Sequence, residues 1–257
     1  MSLKLSIVIP AHNEEASIRE TILAFHEELR LEKVSHEILV VNDNSSDSTE
    51  KILKELSKKI KEVRYVNNSP PNGFGFAIRK GLEEFSGDCV ALVMADLSDR
   101  PVDLVAYYRL MVAKKYDCVF GSRFSKGGKT IDYPRFKLFL NRLTNGIIKM
   151  LFGIRYNDVT NAFKLYRRET LDGLKPFMSH HFNLTVELPL KAIVRGYSYG
   201  VVPNYWTNRT AGESKLLIKE IGSRYFFIIL YCLLEKWLSQ GDYKNTAPRL
   251  EFMKDKK

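Results

Sequence analysis

The chain has 257 residues, near the upper size for one α/β domain, and its 45% hydrophobic content supports a sizeable core. A charged fraction of 27% with only 15 Gly and 9 Pro excludes disordered, collagen-like and low-complexity classes. The net charge of +10 calls for an anionic partner and is unevenly placed: residues 1–120 hold 16 Lys+Arg against 19 Asp+Glu, while residues 121–257 hold 24 against 11.

Residues 5–10 read as a buried strand, and Asn13 is placed to cap a helix running to Leu31, with Glu14 and Glu15 complementing its dipole. A second strand is predicted over 37–42. A helix opened by Asp47 or Ser48 follows, with Ile52, Leu53, Leu56 and Ile60 at helical spacing. A short strand over 63–66 precedes a loop with Pro70, Pro71, Gly73 and Gly75, which leads into a helix ending near Phe85. The continuous apolar run 89–95 is typical of a central parallel strand, and Pro101 suits the first turn of the next helix. Repeated βα alternation predicts a doubly wound sheet.

After Gly121 the pattern loosens. A helix with basic residues on one side is expected over 136–152, strands over 162–166 and 200–205, and an amphipathic helix over 216–238 before a polar tail. Tyr225, Ile228, Ile229 and Cys232 form one stripe of that last helix, flanked by Arg224, Lys236 and Trp237. It is expected to pack on the domain or to meet a membrane surface. The longest apolar stretch, 225–234, is about half of what a bilayer span requires, and the N-terminus carries no secretory pattern. Cys89, Cys118 and Cys232 form no disulfide framework or zinc pattern, so a reducing, cytoplasmic setting is expected.

Ligands of open parallel sheets sit at the carboxyl ends of the strands. Asp43 and Asp96 fall there, with Asp99 close behind, and hard oxygen ligands of this kind suit Mg²⁺ or Mn²⁺. Helix capping accounts for Asp47. A Walker A sequence, a G-x-G-x-x-G after the first strand and a G-x-S-x-G elbow are all missing. ATPase, dinucleotide-dehydrogenase and α/β-hydrolase readings lose their support accordingly. No aromatic-plus-basic signature accompanies the charge, so nucleic acid is not expected as a partner. His180 and His181 show no metal spacing, and Glu187 suits either a substrate contact or a helix-end ion pair.

The order Ile7-Val-Ile-Pro-Ala-His-Asn-Glu14, Val40-Val-Asn-Asp-Asn-Ser45, Asn72-Gly-Phe-Gly-Phe-Ala77 and Ala95-Asp96 resembles an inverting GT-A glycosyltransferase of family 2. Gly121-Ser-Arg123 with Gly127-Gly128, Asp158-Val-Thr-Asn-Ala-Phe163 and Arg209-Thr-Ala-Gly-Glu-Ser-Lys215 are similar to the dolichyl- or polyprenyl-phosphate sugar transferases within it. The resemblance covers about residues 5–220. It implies a Rossmann-like mixed sheet flanked by helices, with residues 1–215 as the transferase domain and 216–257 as a C-terminal amphipathic helix and tail.

Carried over by position, the resemblance implies that Pro10, His12, Glu14, Asp43 and Ala95 line the pocket of a GDP- or UDP-linked sugar. Asp96 would hold the metal and diphosphate, with Asp99 as an additional ligand. Arg209 and Lys215 would close over the diphosphate. Arg123, Lys137 and Asn141 would serve the phosphate of a lipid acceptor at an anionic membrane surface. The acidic signature departs from the family's Asp-Ala-Asp-Leu-Gln, reading Met94-Ala-Asp-Leu-Ser98. Transfer to a saccharide or small hydroxyl acceptor, which needs a general base such as Asp99, and a degenerate nucleotide-binding role remain as alternatives.

Overall fold

The computed structural model describes residues 3–208 and 218–245. In the first half, β1 (Leu5–Ala11), α1 (Ile18–Leu31), β2 (His36–Asn42), α2 (Thr49–Lys59), β3 (Val63–Asn67), α3 (Phe74–Glu84), β4 (Cys89–Leu92) and α4 (Pro101–Lys114) alternate as the periodicity predicts. The second half holds β5 (Cys118–Ser122), β6 (Lys129–Ile131), α5 (Arg135–Phe152), β7 (Lys164–Arg167), α6 (Arg168–Leu174), α7 (Leu184–Val194), β8 (Tyr199–Pro203), β9 (Tyr205–Thr207) and α8 (Ile218–Leu238).

Seven strands form one sheet in the order β3-β2-β1-β4-β7-β5-β8, while β6 and β9 pair separately. The sheet is mixed, as the family resemblance implies: β7 runs antiparallel to both β4 and β5, and the other ladders are parallel. This reversal has a consequence for the site. The carboxyl ends of β1, β2, β4 and β5 share one edge, and the segment entering β7 arrives at that same edge.

Strand side chains alternate between two apolar layers. Ile7, Ile9, Val40 and Leu165 face the layer under α1 and α4, while Val8, Val41, Val90 and Tyr166 face the layer under α3, α7 and α8. Ile228 and Cys232 of α8 are fully buried in the second layer, and all three cysteines are free and buried. No helix of the described residues is long and apolar enough to cross a membrane.

Three local readings change, and one helix is added to them. Asn13 does not cap α1: it adopts left-handed backbone (φ 53°), and its Oδ1 accepts the Ser46 N–H at 2.8 Å. The helix begins only at Ile18, whose N–H bonds Glu14 O at 2.9 Å. The apolar run 89–95 leaves the ladder at Leu92, and Met94 and Ala95 line a cavity instead. The expected strand over 200–205 breaks at Asn204, which is fully buried, and Asp103 Oδ2 accepts the N–H of Tyr205 at 2.9 Å. Helix α7 gives no amphipathic signal because residues 184–192 are buried on every side, so its sequence lacks a polar stripe.

Glu37 is a buried acid inside β2. Burial raises its carboxyl pKa, but donors from Ser6, Ser86 and Arg64 outweigh this and hold it at about 2. The unfolded carboxyl titrates near the ordinary glutamate value, so the unfolded chain takes up the proton first as pH falls. The stabilisation is therefore complete above about pH 4.5 and lost toward pH 2. Between pH 7 and pH 3 wild type is expected to lose on the order of 2 kcal/mol more than Glu37→Gln in denaturant titrations. Equal losses in the two proteins would refute the assignment.

Candidate active site

The carboxyl edge of the sheet opens into a cavity of about 980 Å³. Pro10, His12, Glu14, Asp43, Ala95, Asp96, Asp99, Arg123, Lys137 and Asn141 all line it, so ten positions singled out from sequence converge on one space. Arg209 and Lys215 lie outside the described residues.

At the β1–β2 end, the carboxylate of Asp43 is engaged by the loop after β3. Its Oδ1 accepts from Asn68 Nδ2 (2.8 Å) and Asn72 Nδ2 (2.9 Å), and its Oδ2 accepts from Gly73 N (2.7 Å). His12 Nδ1–H donates to Asp43 O at 2.7 Å, which orients the imidazole at the cavity wall. Asp43 therefore shapes this end as much as it faces a ligand. The Gly73-Phe-Gly75 motif is explained by packing. Gly73 has φ 136°, and a Cβ on Gly75 would stand 2.3 Å from the carbonyl carbon of His180. His180 and His181 pack against Phe76 of α3. Glu187 is a structural ion-pair partner of Lys191, both fully buried.

Beyond β4, Asp96 Oδ1 accepts from Ser98 N (3.1 Å) and Ser98 Oγ (2.5 Å), while the intervening Leu97 takes left-handed backbone at φ 53°. Leucine rarely adopts that conformation, so the tight turn at the cavity is held by its surroundings. Asp99 is 3% exposed, its Oδ1 has no hydrogen-bond partner among the described residues, and burial together with the charge of Asp96 pushes its carboxyl up to about 8. Two neighbouring acids, one with a buried orphan oxygen, fit a hard divalent cation that takes its remaining ligands from a diphosphate or water. No group of three or more His, Cys, Asp or Glu side chains converges as a metal cage among the described residues.

Two basic side chains, Arg123 and Lys137, line the same cavity. Arg123, at the end of β5, forks onto Asp158 with Nε–Oδ2 at 2.8 Å and Nη2–Oδ1 at 2.7 Å, and its own N–H adds a third bond to Oδ2. Burial lowers the guanidinium pKa, but Asp158 outweighs it and holds it above the ordinary value. Lys137 and Asn141 project from α5. Asn141 Oδ1 accepts from Thr160 Oγ1 (3.1 Å) and Asn145 Nδ2 (2.8 Å), which joins α5 to the segment before β7. Aromatic and apolar groups complete the cavity wall. Phe74 stacks on Phe182 at 4.0 Å, Tyr133 packs on Trp206 at 4.7 Å, and Leu140, Ile147, Tyr225, Phe226 and Ile229 line the gap between α5 and α8.

The motif starting at Asp158 and the stripe holding Tyr225 are legible in the sequence, whereas the pairing of Asp158 with Arg123 and the places of Tyr133 and Phe182 in the cavity are not. The readable signal was the Asp-Val-Thr-Asn-Ala-Phe run itself, because an acid just before a central strand sits at the sheet edge.

The cavity defines the class: a Rossmann-like α/β protein whose ligand site sits at the carboxyl ends of parallel strands. Residues 6–174 match the family model described as Glycosyl transferase family 2, and the chain belongs to that family. A dolichol-phosphate mannosyltransferase from Pyrococcus furiosus is 30% identical over 224 residues, 85% of this chain and 61% of that protein. An uncharacterized glycosyltransferase from Synechocystis is 31% identical over 178 residues, 68% of this chain and 54% of its own length. The chain thus spans less than two thirds of these curated relatives. Glucosyl-3-phosphoglycerate synthase from Mycobacterium tuberculosis, solved with Mn²⁺, uridine diphosphate and phosphoglyceric acid, matches with a TM-score of 0.69 at 18% identity. The match covers 91% of this chain and 78% of that one. Another structure of that enzyme holds Mg²⁺ and uridine diphosphate. These likenesses show the GT-A fold.

Proposed function

We propose that the protein transfers a sugar from a nucleoside-diphosphate donor to a polyprenyl phosphate at an anionic membrane surface. One observation carries this reading: a single cavity is lined both by Asp43, Asp96 and Asp99 and by Arg123, Lys137 and apolar side chains of α5 and α8. The donor sits at the acids, with Pro10, His12, Glu14 and Ala95 around the nucleotide. By the family resemblance alone, Arg209 and Lys215 would serve the donor diphosphate. Asp96 and Asp99 would hold Mg²⁺ or Mn²⁺, which supplies a Lewis acid for the departing diphosphate.

An acceptor phosphate is already an anion near neutral pH. Arg123, Lys137 and Asn141 position one of its oxygens and screen its charge, so no general base is required. That oxygen bonds to the anomeric carbon as the nucleoside diphosphate leaves with the bonding pair, inverting the configuration. Residues 1–215 carry this chemistry, and residues 216–257 supply the helix beside the acceptor end.

The surface next to that end supports a lipid. Phe136, Phe139 and Met150 of α5 and Phe226, Phe227, Leu230 and Trp237 of α8 are exposed, with Arg135, Lys137 and Arg142 interspersed. Exposed apolar groups flanked by cations suit the interface of an anionic bilayer, reached peripherally from its cytoplasmic face.

Flotation with phosphatidylglycerol vesicles is expected to carry the protein, and Phe136→Asp/Phe139→Asp to reduce the bound fraction at least tenfold. Pure phosphatidylcholine should bind little. Equal flotation of wild type and variant would remove the docking assignment. Purified protein incubated with UDP- and GDP-sugars should form lipid-linked sugar only when polyprenyl phosphate is supplied. Transfer to a free saccharide or to 3-phosphoglycerate instead would replace this reading. The buried Asp99, with its partnerless oxygen, favours that second reading because a hydroxyl acceptor needs a base. Tight nucleotide binding without turnover under any metal would identify a degenerate binding protein.

A further inference from the structure

Lys164 is a charged residue at the start of a central strand, paired with Leu92 on one side and Phe120 on the other. It is 1% exposed and faces the same layer as Tyr166. Its Nζ donates to Val159 O at 3.0 Å and to Thr185 O at 3.1 Å.

The second acceptor has a specific origin. Helix α7 contains Pro189 in its interior, and a proline has no N–H to give the carbonyl four residues earlier. That carbonyl belongs to Thr185. The helix thus leaves one buried acceptor open, and the lysine fills it. The first acceptor, Val159, directly follows Asp158, which holds Arg123. Thr185 itself lines the cavity and is hydrogen-bonded to Tyr225 of α8.

We propose that Lys164 is a positioning residue for glycosyl transfer: it ties the segment carrying Asp158 to the carbonyl freed by Pro189, and so fixes Arg123 at the acceptor end. The catalytic relevance of that position rests on the reading of Arg123 given above, whereas the tether itself does not.

The charged groups facing Lys164 are Asp158 and Asp99, which favour its cationic form, and Arg123, which opposes it. Burial pushes its pKa down to about 7. Both the ammonium and the neutral amine carry enough N–H groups for the two carbonyls, so the tether survives deprotonation.

The test compares wild type, Lys164→Met, Lys164→Arg, Pro189→Ala and the double variant Lys164→Met/Pro189→Ala in the full chain. Pro189→Ala gives α7 its missing N–H, so the double variant keeps the helix satisfied and guards against simple unfolding. The first readout needs no ligand: the slowly exchanging Arg123 Nε–H resonance, assigned by its loss in Arg123→Lys. The second is steady-state transfer from a nucleotide sugar to polyprenyl phosphate.

Lys164→Met and the double variant are expected to lose the resonance. Their KM for polyprenyl phosphate should rise at least tenfold while that for the nucleotide sugar stays within twofold, and Lys164→Arg should recover part of the loss. Retention of the resonance in Lys164→Met, or its full return in the double variant, overturns the proposal by reducing Lys164 to a filler of an open carbonyl. If wild type uses no phosphorylated lipid yet the resonance still depends on Lys164, the tether stands and the acceptor reading falls.

Discussion

Replacing Asp96 by asparagine is expected to lower sugar transfer by about 10²- to 10³-fold, the usual cost of removing one element of charge stabilisation from a preorganised site. The substitution is nearly isosteric. Asp96 Oδ1 accepts from the N–H and hydroxyl of Ser98, and an asparagine oxygen can keep both bonds, so the turn at Leu97 survives. What disappears is a negative charge beside Asp99, where the proposed cation and diphosphate meet. The thermal midpoint should therefore change little while turnover falls. Rates measured with saturating Mn²⁺ and donor check this directly. Turnover within threefold of wild type would mean that Met94 has taken metal dependence with it and that the donor is held by cations alone.

Asp158→Asn should show the second large effect, on stability and activity together. Asp158 is fully buried and Arg123 is 7% exposed, so the variant strands a buried guanidinium. Breaking such a pair from one side costs about 3–5 kcal/mol, because the remaining charge has lost its compensation. Replacing both partners with apolar groups of similar size is far milder. Arg123→Met/Asp158→Leu is accordingly expected to recover part of the stability while staying inactive, the remainder being lost because the buried N–H of residue 123 has no acceptor once Asp158 is gone. Denaturant midpoints and transfer rates on the three proteins separate the roles. An active double variant would show that the pair only supports the fold.

The legibility of this protein divides by how local each signal is. The alternation of strands and helices through residue 114 is legible because each element carries its own period and its own breakers, as in Ile52, Leu53 and Leu56 on α2 or Pro101 at the start of α4. The acids after β2 and β4 are legible for the same reason, since an acid ending an apolar run marks a strand end. Glu187 shows the opposite case. Its partners Lys191, Met178 and Ser179 are set by the packing of α7, and nothing in a helix buried on every side says which way an acid will point. Asn13 failed as a cap because the loop after β2 competed for its side chain, and propensity yields to such a tertiary bond.

The sequence by itself determined the α/β class, the edge at which ligands gather and the separation of an acidic first half from a basic second half. Those properties follow from local periodicity and composition, which need no knowledge of strand order. Only the tertiary structure decided that Arg123 would meet Asp158 and that Lys164 would reach the carbonyl opened by Pro189. Strand β7 enters the sheet backwards between β4 and β5, bringing its leading segment to the carboxyl edge. Contacts across that junction depend on which strands pair, and pairing is chosen by burial of the whole sheet rather than by any single stretch of chain.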